Sequence, residues 1–213
     1  DKMSESCMSL IVPETSKNIN HAARIIQAGG IIGYLTDTLY GIGCDATNDQ
    51  AVSKVYDIKY RSEKKPILVL TDKLEKALDI GIFNELAITI AEAFWPGPLT
   101  LVLPRAERCP LVEGINMIDD TVSIRIPSRI NTLKLIHAAG SPLTAPSANL
   151  TGDTPANSSE DVVKTFGKNL ELVLDGGQET NSIPSTIVDV TTPTLKIIRK
   201  GAINHQDIEK LKN

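Results

Sequence analysis

Lys59-Tyr60-Arg61 and Lys64-Lys65-Pro66 gather cations between a helical segment and the apolar run Ile67 to Leu70. Two chemistries suit such a group. Cations closing a helix favour its dipole. They can equally grip a polyanion, Lys as a point charge and Arg as a planar fork matched to two phosphate oxygens. Arg125, on a strand, and Arg199, at a strand end, can add to that grip. A second group is built of hydroxyls and short amides: Thr36-Asp37-Thr38, Ser147-Ala148-Asn149 and Ser185-Thr186. Each alone reads as an Asx or Ser/Thr turn. Each also adjoins a strand, and strand ends are where open α/β sheets bind ligands. Three such turns beside a basic pair suggest a pocket for a small polar substrate next to a phosphate chain.

Other devices are missing from the sequence. It has no Gly-x-x-x-x-Gly-Lys-Ser/Thr loop, no Gly-x-Gly-x-x-Gly, no His-Glu-x-x-His and no Gly-x-Ser-x-Gly elbow. His21 and His137 fall on helical segments and His205 near a C-terminal cap, where solvated or packed roles are expected. Acidic residues do not cluster at metal-ligand spacing. No protein-held metal is expected, and any magnesium would be held mainly by a substrate's phosphates.

The elements that must position these residues follow from caps and periodicity. A helix opened by Asn18 or Asn20 ends at Gly29-Gly30, followed by a strand from Ile31 to Leu35. Asp49 caps a helix to Lys59, ahead of a strand from Ile67 to Leu70. Asn84 opens a helix that Trp95-Pro96-Gly97-Pro98 must stop. Strands are expected at Leu99 to Leu103 and Thr121 to Ile126. A helix from Ser128 to Ala139 ends at Gly140, and a short strand runs from Leu143 to Ala145. Ser158 starts another helix; strands follow at Leu170 to Leu174, Thr186 to Val190 and Leu195 to Ile198. Asn204 caps a last helix, Asp207 to Leu211. In the strand from Thr121, alternation puts Arg125 on the face opposite Ile124 and Ile126. Alternating helices and strands predict an α/β or mixed α+β class. The loops 149–158 and 175–184 are candidate binding loops.

Composition bounds the rest. The 213 residues are 41% hydrophobic and 23% charged, which excludes disorder, collagen and coiled coil for the whole chain. Aromatics at 4% argue against a stacking platform for single strands, and a formal charge of −4 argues against nucleic-acid binding by bulk charge. Cys7, Cys44 and Cys109 are far apart and read as free thiols of a reducing compartment. No stretch approaches the length of a membrane helix, so a cytoplasmic protein with no membrane partner is expected. Residues 1–10 are expected to be an N-terminal tail and 11–213 a single catalytic domain.

Taken together these segments resemble the YrdC family, the threonylcarbamoyl-AMP synthases. The resemblance rests on Leu35-Thr36-Asp37-Thr38-Leu39-Tyr40-Gly41-Ile42-Gly43, on Lys59-Tyr60-Arg61 with Lys65-Pro66-Ile67, and on Trp95-Pro96-Gly97-Pro98-Leu99-Thr100. It continues through Arg125-Ile126-Pro127, Ala145-Pro146-Ser147-Ala148-Asn149-Leu150-Thr151-Gly152, Pro184-Ser185-Thr186-Ile187-Val188-Asp189 and Arg199-Lys200-Gly201. The matches run in order over about residues 18–203.

The resemblance implies an α/β domain, a twisted mixed β-sheet flanked by helices, with a concave cationic cavity. It also implies a reaction in which L-threonine, bicarbonate and ATP give threonylcarbamoyl-AMP and pyrophosphate, with Mg2+ carried on the ATP phosphates. The product would serve threonylcarbamoyladenosine formation in tRNA, so tRNA or a downstream transfer machinery is the implied partner. By the same resemblance Lys59, Arg61, Ser147 and Asn149 would be catalytic. Arg61, Lys65, Thr121, Ser147, Asn149 and Arg199 would bind ATP, and Thr38, Arg125 and Ser185 would lie by the threonine. Two alternatives stay open: a non-catalytic module binding double-stranded RNA or tRNA, and a paralogue making a different carbamoyl-adenylate. Leu70, where many members carry His, keeps the second open.

Overall fold

The computed structural model describes residues 5–59, 65–115 and 119–212. The chain begins with α1 (Glu5–Met8), β1 (Ile11–Pro13), α2 (Ser16–Gln27), β2 (Ile32–Leu35), β3 (Tyr40–Gly43) and α3 (Asp49–Ile58). It continues through β4 (Val69–Leu70), α4 (Leu74–Ile80), α5 (Glu85–Phe94), β5 (Leu99–Pro104), β6 (Thr121–Arg125) and α6 (Ile130–Ala139). It ends with β7 (Leu143–Thr144), α7 (Ser159–Phe166), β8 (Leu172–Asp175), β9 (Thr186–Asp189), β10 (Lys196–Arg199) and α8 (His205–Glu209).

Short polar side chains set the helix starts, as capping chemistry requires. Asn48, Asn84, Ser158 and Asn204 accept a backbone N–H at the heads of α3, α5, α7 and α8. The α2 cap is Thr15, which accepts from the Asn18 N–H, so this helix starts ahead of both expected asparagines. Gly140 closes α6 in the left-handed conformation (φ 73°) that side chains with a Cβ avoid. Helix α4 gave no capping signal, because Lys73 at its head makes no side-chain cap bond. Strand β3 hides behind its glycines in the sequence, yet all its residues are buried and it pairs antiparallel with β2. Within the expected tail, Glu5–Met8 form a turn of helix and Cys7 packs against the core.

The strands divide between two mixed sheets, ordered β1-β8-β2-β3 and β10-β9-β5-β6-β4-β7, in a mixed α/β domain as expected. Helices α2 and α6 bury Ile19, Ile26, Leu135 and Ile136 in one core cluster with Tyr34, Leu70 and Leu143. Each such Ile or Leu contributes about 1.5–3 kcal/mol on full burial. No helix among the described residues is long and apolar enough to cross a membrane.

A polar seam joins the two sheets, and a second polar join ties the loop after β8 back to β3 within the four-stranded sheet. Along the first, β3 and the β7 segment exchange Ile42 N–H to Pro146 O (3.0 Å), Thr144 N–H to Cys44 O (3.0 Å) and Ala148 N–H to Tyr40 O (2.8 Å). The buried Thr144 hydroxyl completes it, donating to Ile42 O and accepting from Cys44 N–H, both at 3.0 Å. At the second join, the Tyr40 hydroxyl donates to Gly177 O (2.6 Å) and accepts from Gly176 N–H (3.2 Å), tying the loop after β8 to β3. Burial pushes this phenol up to about 12, against the pull of the Gly176 N–H.

Two outcomes follow. Thr144→Val keeps the shape but strands two buried backbone groups; unfolding should cost about 2–3 kcal/mol less, a melting temperature lower by roughly 5–10 °C in calorimetry. Tyr40→Phe removes a group that holds its proton more tightly folded than unfolded. The stability it contributes is complete below pH 10 and is lost as pH climbs to about 12. Urea midpoints of parent and Tyr40→Phe should therefore converge over that interval; a constant gap would mean that the phenol ionises normally.

Candidate active site

A cavity of about 230 Å³ opens where the turn after β2, the exit of β7 and the entry to β9 converge on the six-stranded sheet. Strand β6 lies between β5 and β4, and its two-residue period turns Ser123 and Arg125 to the same face, into the cavity. Thr100 reaches it from β5, and Arg199 from β10.

One wall is organised by Arg125, which is 2% exposed. Its Nη1 pairs with Asp37 Oδ1, and its Nη2 donates to Thr38 Oγ1 at 3.2 Å. A guanidinium only donates, so the Thr38 oxygen must accept and its own proton must point elsewhere. In this structure it has Thr36 Oγ1 at 3.1 Å, an oxygen whose proton goes to Leu39 O (2.7 Å). A substrate oxygen in the cavity is the alternative acceptor.

Arg199 organises the opposite wall. Its Nε and Nη2 donate to Ser185 O at 3.1 and 2.9 Å, and Nη2 also donates to Ser185 Oγ at 3.2 Å. Ser185 Oγ lies 2.8 Å from Thr100 Oγ1. Partial burial, and then the like charge of Arg125, hold the Arg199 guanidinium below its usual value. Gly201 permits this closeness: a Cβ there would lie 2.4 Å from Pro184 O and 2.5 Å from Ser185 O. Only glycine lets the chain after β10 press so near Ser185.

At the floor, Ser147 Oγ donates to Asn149 Oδ1 (2.5 Å), and Asn149 Nδ2 donates to Asp153 O (2.7 Å). Lys59, the C-cap of α3, is 2% exposed and its ammonium donates to the Ser147 carbonyl.

Of the residues expected from the sequence, Thr38, Arg125, Ser147, Ser185 and Arg199 line the cavity together. Lys59 stands behind Ser147, and Asn149 is one hydrogen bond from it. Lys65 is exposed beside the lining residue Pro66. Thr121 opens β6 opposite Pro104, four residues before Arg125, and is not among the residues that line this cavity. At a strand rise near 3.3 Å that places it about 13 Å away. Leu70 is buried among apolar neighbours and does not line the cavity. Arg61 and Lys64 lie outside the described residues.

Sequence reasoning missed Thr100 and Ser123 as site residues, and it placed Thr36 and Asp37 in a pocket turn without giving either a role. The two-residue spacing of Ser123 from Arg125 was a readable signal; nothing local showed that Asp37 meets a residue far along the chain. The wall does not suit a bound metal. Its lining holds no carboxylate, and among the described residues no three His, Cys, Asp or Glu side chains are grouped to hold an ion. Magnesium would have to arrive on a substrate's phosphates.

The family model Sua5/YciO/YrdC, described as "Telomere recombination", matches residues 24–201. The chain is 34% identical over 194 residues to the threonylcarbamoyl-AMP synthase of Pyrococcus abyssi, covering 91% of this chain and 56% of that relative. Against the threonylcarbamoyl-AMP synthase of Vibrio campbellii it is 30% identical over 188 residues, 87% of this chain and 100% of that protein. The chain thus spans a little over half the length of the first relative and all of the second. The crystal structure of P. abyssi Sua5 complexed with L-threonine superposes with a TM-score of 0.89 at 33% identity, covering 95% of this chain and 60% of that one. A model match over most of the chain, joined to this agreement in fold, makes the chain a member of the Sua5/YciO/YrdC family.

Proposed function

We propose that this cavity makes threonylcarbamoyl-AMP and pyrophosphate from L-threonine, bicarbonate and ATP. The observation that carries the reading is the lining itself: its charged side chains are two arginines, each already holding a hydroxyl, with no carboxylate among them. Such a wall suits reactants whose reacting groups are carboxylate, carbamate and phosphate oxygens. The names of the relatives and the L-threonine complex of P. abyssi Sua5 support the choice of substrates.

The chemistry needs little from the protein beyond charge and alignment. The threonine amine and bicarbonate form a carbamate with loss of water. A carbamate oxygen then attacks the α-phosphorus of ATP, and the bond to the bridging oxygen of pyrophosphate breaks. An anion meets a polyanion, so neutralisation and in-line positioning dominate the barrier. Thr38, Arg125 and Ser185 would hold the threonine end. Ser147, with Lys59 behind it, Asn149, Arg199, Thr121 and the Arg61 and Lys65 cations would hold the nucleotide. We further propose that the product passes to tRNA through a downstream transferase, in the cytoplasm, where ATP and tRNA are at hand.

Purified protein with magnesium and ATP should release pyrophosphate only when L-threonine and bicarbonate are both present. Release with any amino acid would favour a different carbamoyl-adenylate. Salt-sensitive RNA binding without ATP turnover would favour a non-catalytic binding module.

Ser147→Ala should lower kcat/KM for ATP by roughly 10- to 100-fold while the melting temperature stays within about 2 °C. The backbone carbonyl that holds Lys59 is untouched by that change, so only the hydroxyl is tested. Full activity in the variant would leave Ser147 as a turn former.

A further inference from the structure

We infer that Asp37 is the positioning residue of this cavity: its carboxylate locks the Arg125 guanidinium and, through it, turns the Thr38 hydroxyl toward the substrate. This rests on the synthase reading and deepens it.

The turn containing Asp37 does not need Asp37. Thr36 Oγ1 closes that turn, accepting from Thr38 N–H and Leu39 N–H at 3.1 Å and donating to Leu39 O. The Asp37 carboxylate is thereby left for partners far along the chain. Its Oδ1 meets Arg125 Nη1, 88 positions away. Its Oδ2 accepts from Ser128 N–H at 3.0 Å and from Ser128 Oγ at 3.2 Å, 91 positions away. The carboxylate is thus fixed to the segment leading into α6.

Both charges are buried, with side-chain exposures of 2% for Arg125 and 6% for Asp37. A buried pair is poor value for stability, since desolvation offsets much of the attraction. Geometry gives it another use. Arg125 has two side-chain anchors, Asp37 and the 3.2 Å contact to Thr38, while its Nε is buried without a hydrogen-bond partner. Without Asp37, the Thr38 contact alone would orient the guanidinium. Asp37 itself does not line the cavity, so it acts through Arg125 and not on the substrate.

The test compares Asp37→Asn, Asp37→Glu and Ser128→Ala with the parent. Asparagine keeps the shape, removes the charge and sets an N–H against the guanidinium. Asp37→Asn should lower kcat/KM for threonine roughly 10- to 100-fold, mainly through KM, with KM for ATP changed by less than about 2-fold. Asp37→Glu should recover most of that loss. Ser128 is exposed and outside the cavity, so Ser128→Ala should fold normally and raise the threonine KM about 2- to 3-fold. An independent readout is water exchange of the Arg125 Nε–H, assigned by its loss in Arg125→Lys. It should be slow in the parent and faster by roughly 10-fold or more in Asp37→Asn.

A parent-like threonine KM in Asp37→Asn overturns the inference. So does an equal loss for both substrates with a lowered melting temperature and no recovery in Asp37→Glu. If Asp37→Asn is insoluble, Ser128→Ala decides by the same two readouts. If the parent releases no pyrophosphate under any substrate combination, the synthase reading fails and the exchange rate decides alone. Acceleration then upholds the lock, and an unchanged rate overturns it.

Discussion

A guanidinium stripped of water in the middle of a β-sheet is the constraint that the remaining architecture serves. Arg125 ends β6, a strand with neighbours on both sides, so its backbone cannot shift to relieve a bad contact. The counter-charge has to come to it, and it comes from the turn after β2 in the other sheet. That turn can reach β6 only if the two sheets are locked edge to edge. The seam of Ile42, Cys44, Thr144 and Pro146 provides that lock, mostly through backbone groups that would otherwise be buried without partners. The Arg125–Asp37 pair and the seam are therefore one arrangement seen at two scales.

The cavity that results has two walls built on the same plan. On each, an arginine gives a hydrogen bond to a hydroxyl, Thr38 on one side and Ser185 on the other, and so fixes the oxygen as an acceptor. Each of these hydroxyls has a second hydroxyl within reach, Thr36 and Thr100, and can turn its proton from it to an acceptor that enters. A ligand bearing carboxylate, carbamate or phosphate oxygens meets donors on both sides, which suits an anionic nucleophile attacking an anionic phosphate.

Much of this was legible in the sequence, and the parts that were not fail for identifiable reasons. Caps at Asn84, Ser158 and Asn204 are local chemistry, and local reading found them. Thr38, Ser147, Ser185, Arg125 and Arg199 adjoin strand ends, and the sheet order brings them together. Thr121 and Arg125 open and close the same strand, a separation that motif order alone does not show. Helix α4 was missed because nothing caps it, and β3 because glycines disguise a strand. Asp37 looked like a turn former since its partners lie 88 and 91 positions away, a distance that only the tertiary fold closes.

The two walls differ in how firmly the fold holds them. Strand β6 is flanked on both sides, whereas β10 is the outermost strand of its sheet, paired with β9 alone and irregular between Ile197 and Arg199. Detaching β6 would tear two ladders; detaching β10 tears one that is already interrupted. The Arg125 wall is thus a fixed jaw and the Arg199 wall a compliant one. Local opening at the sheet margin would widen the cavity on the Arg199 side and leave the central strands paired.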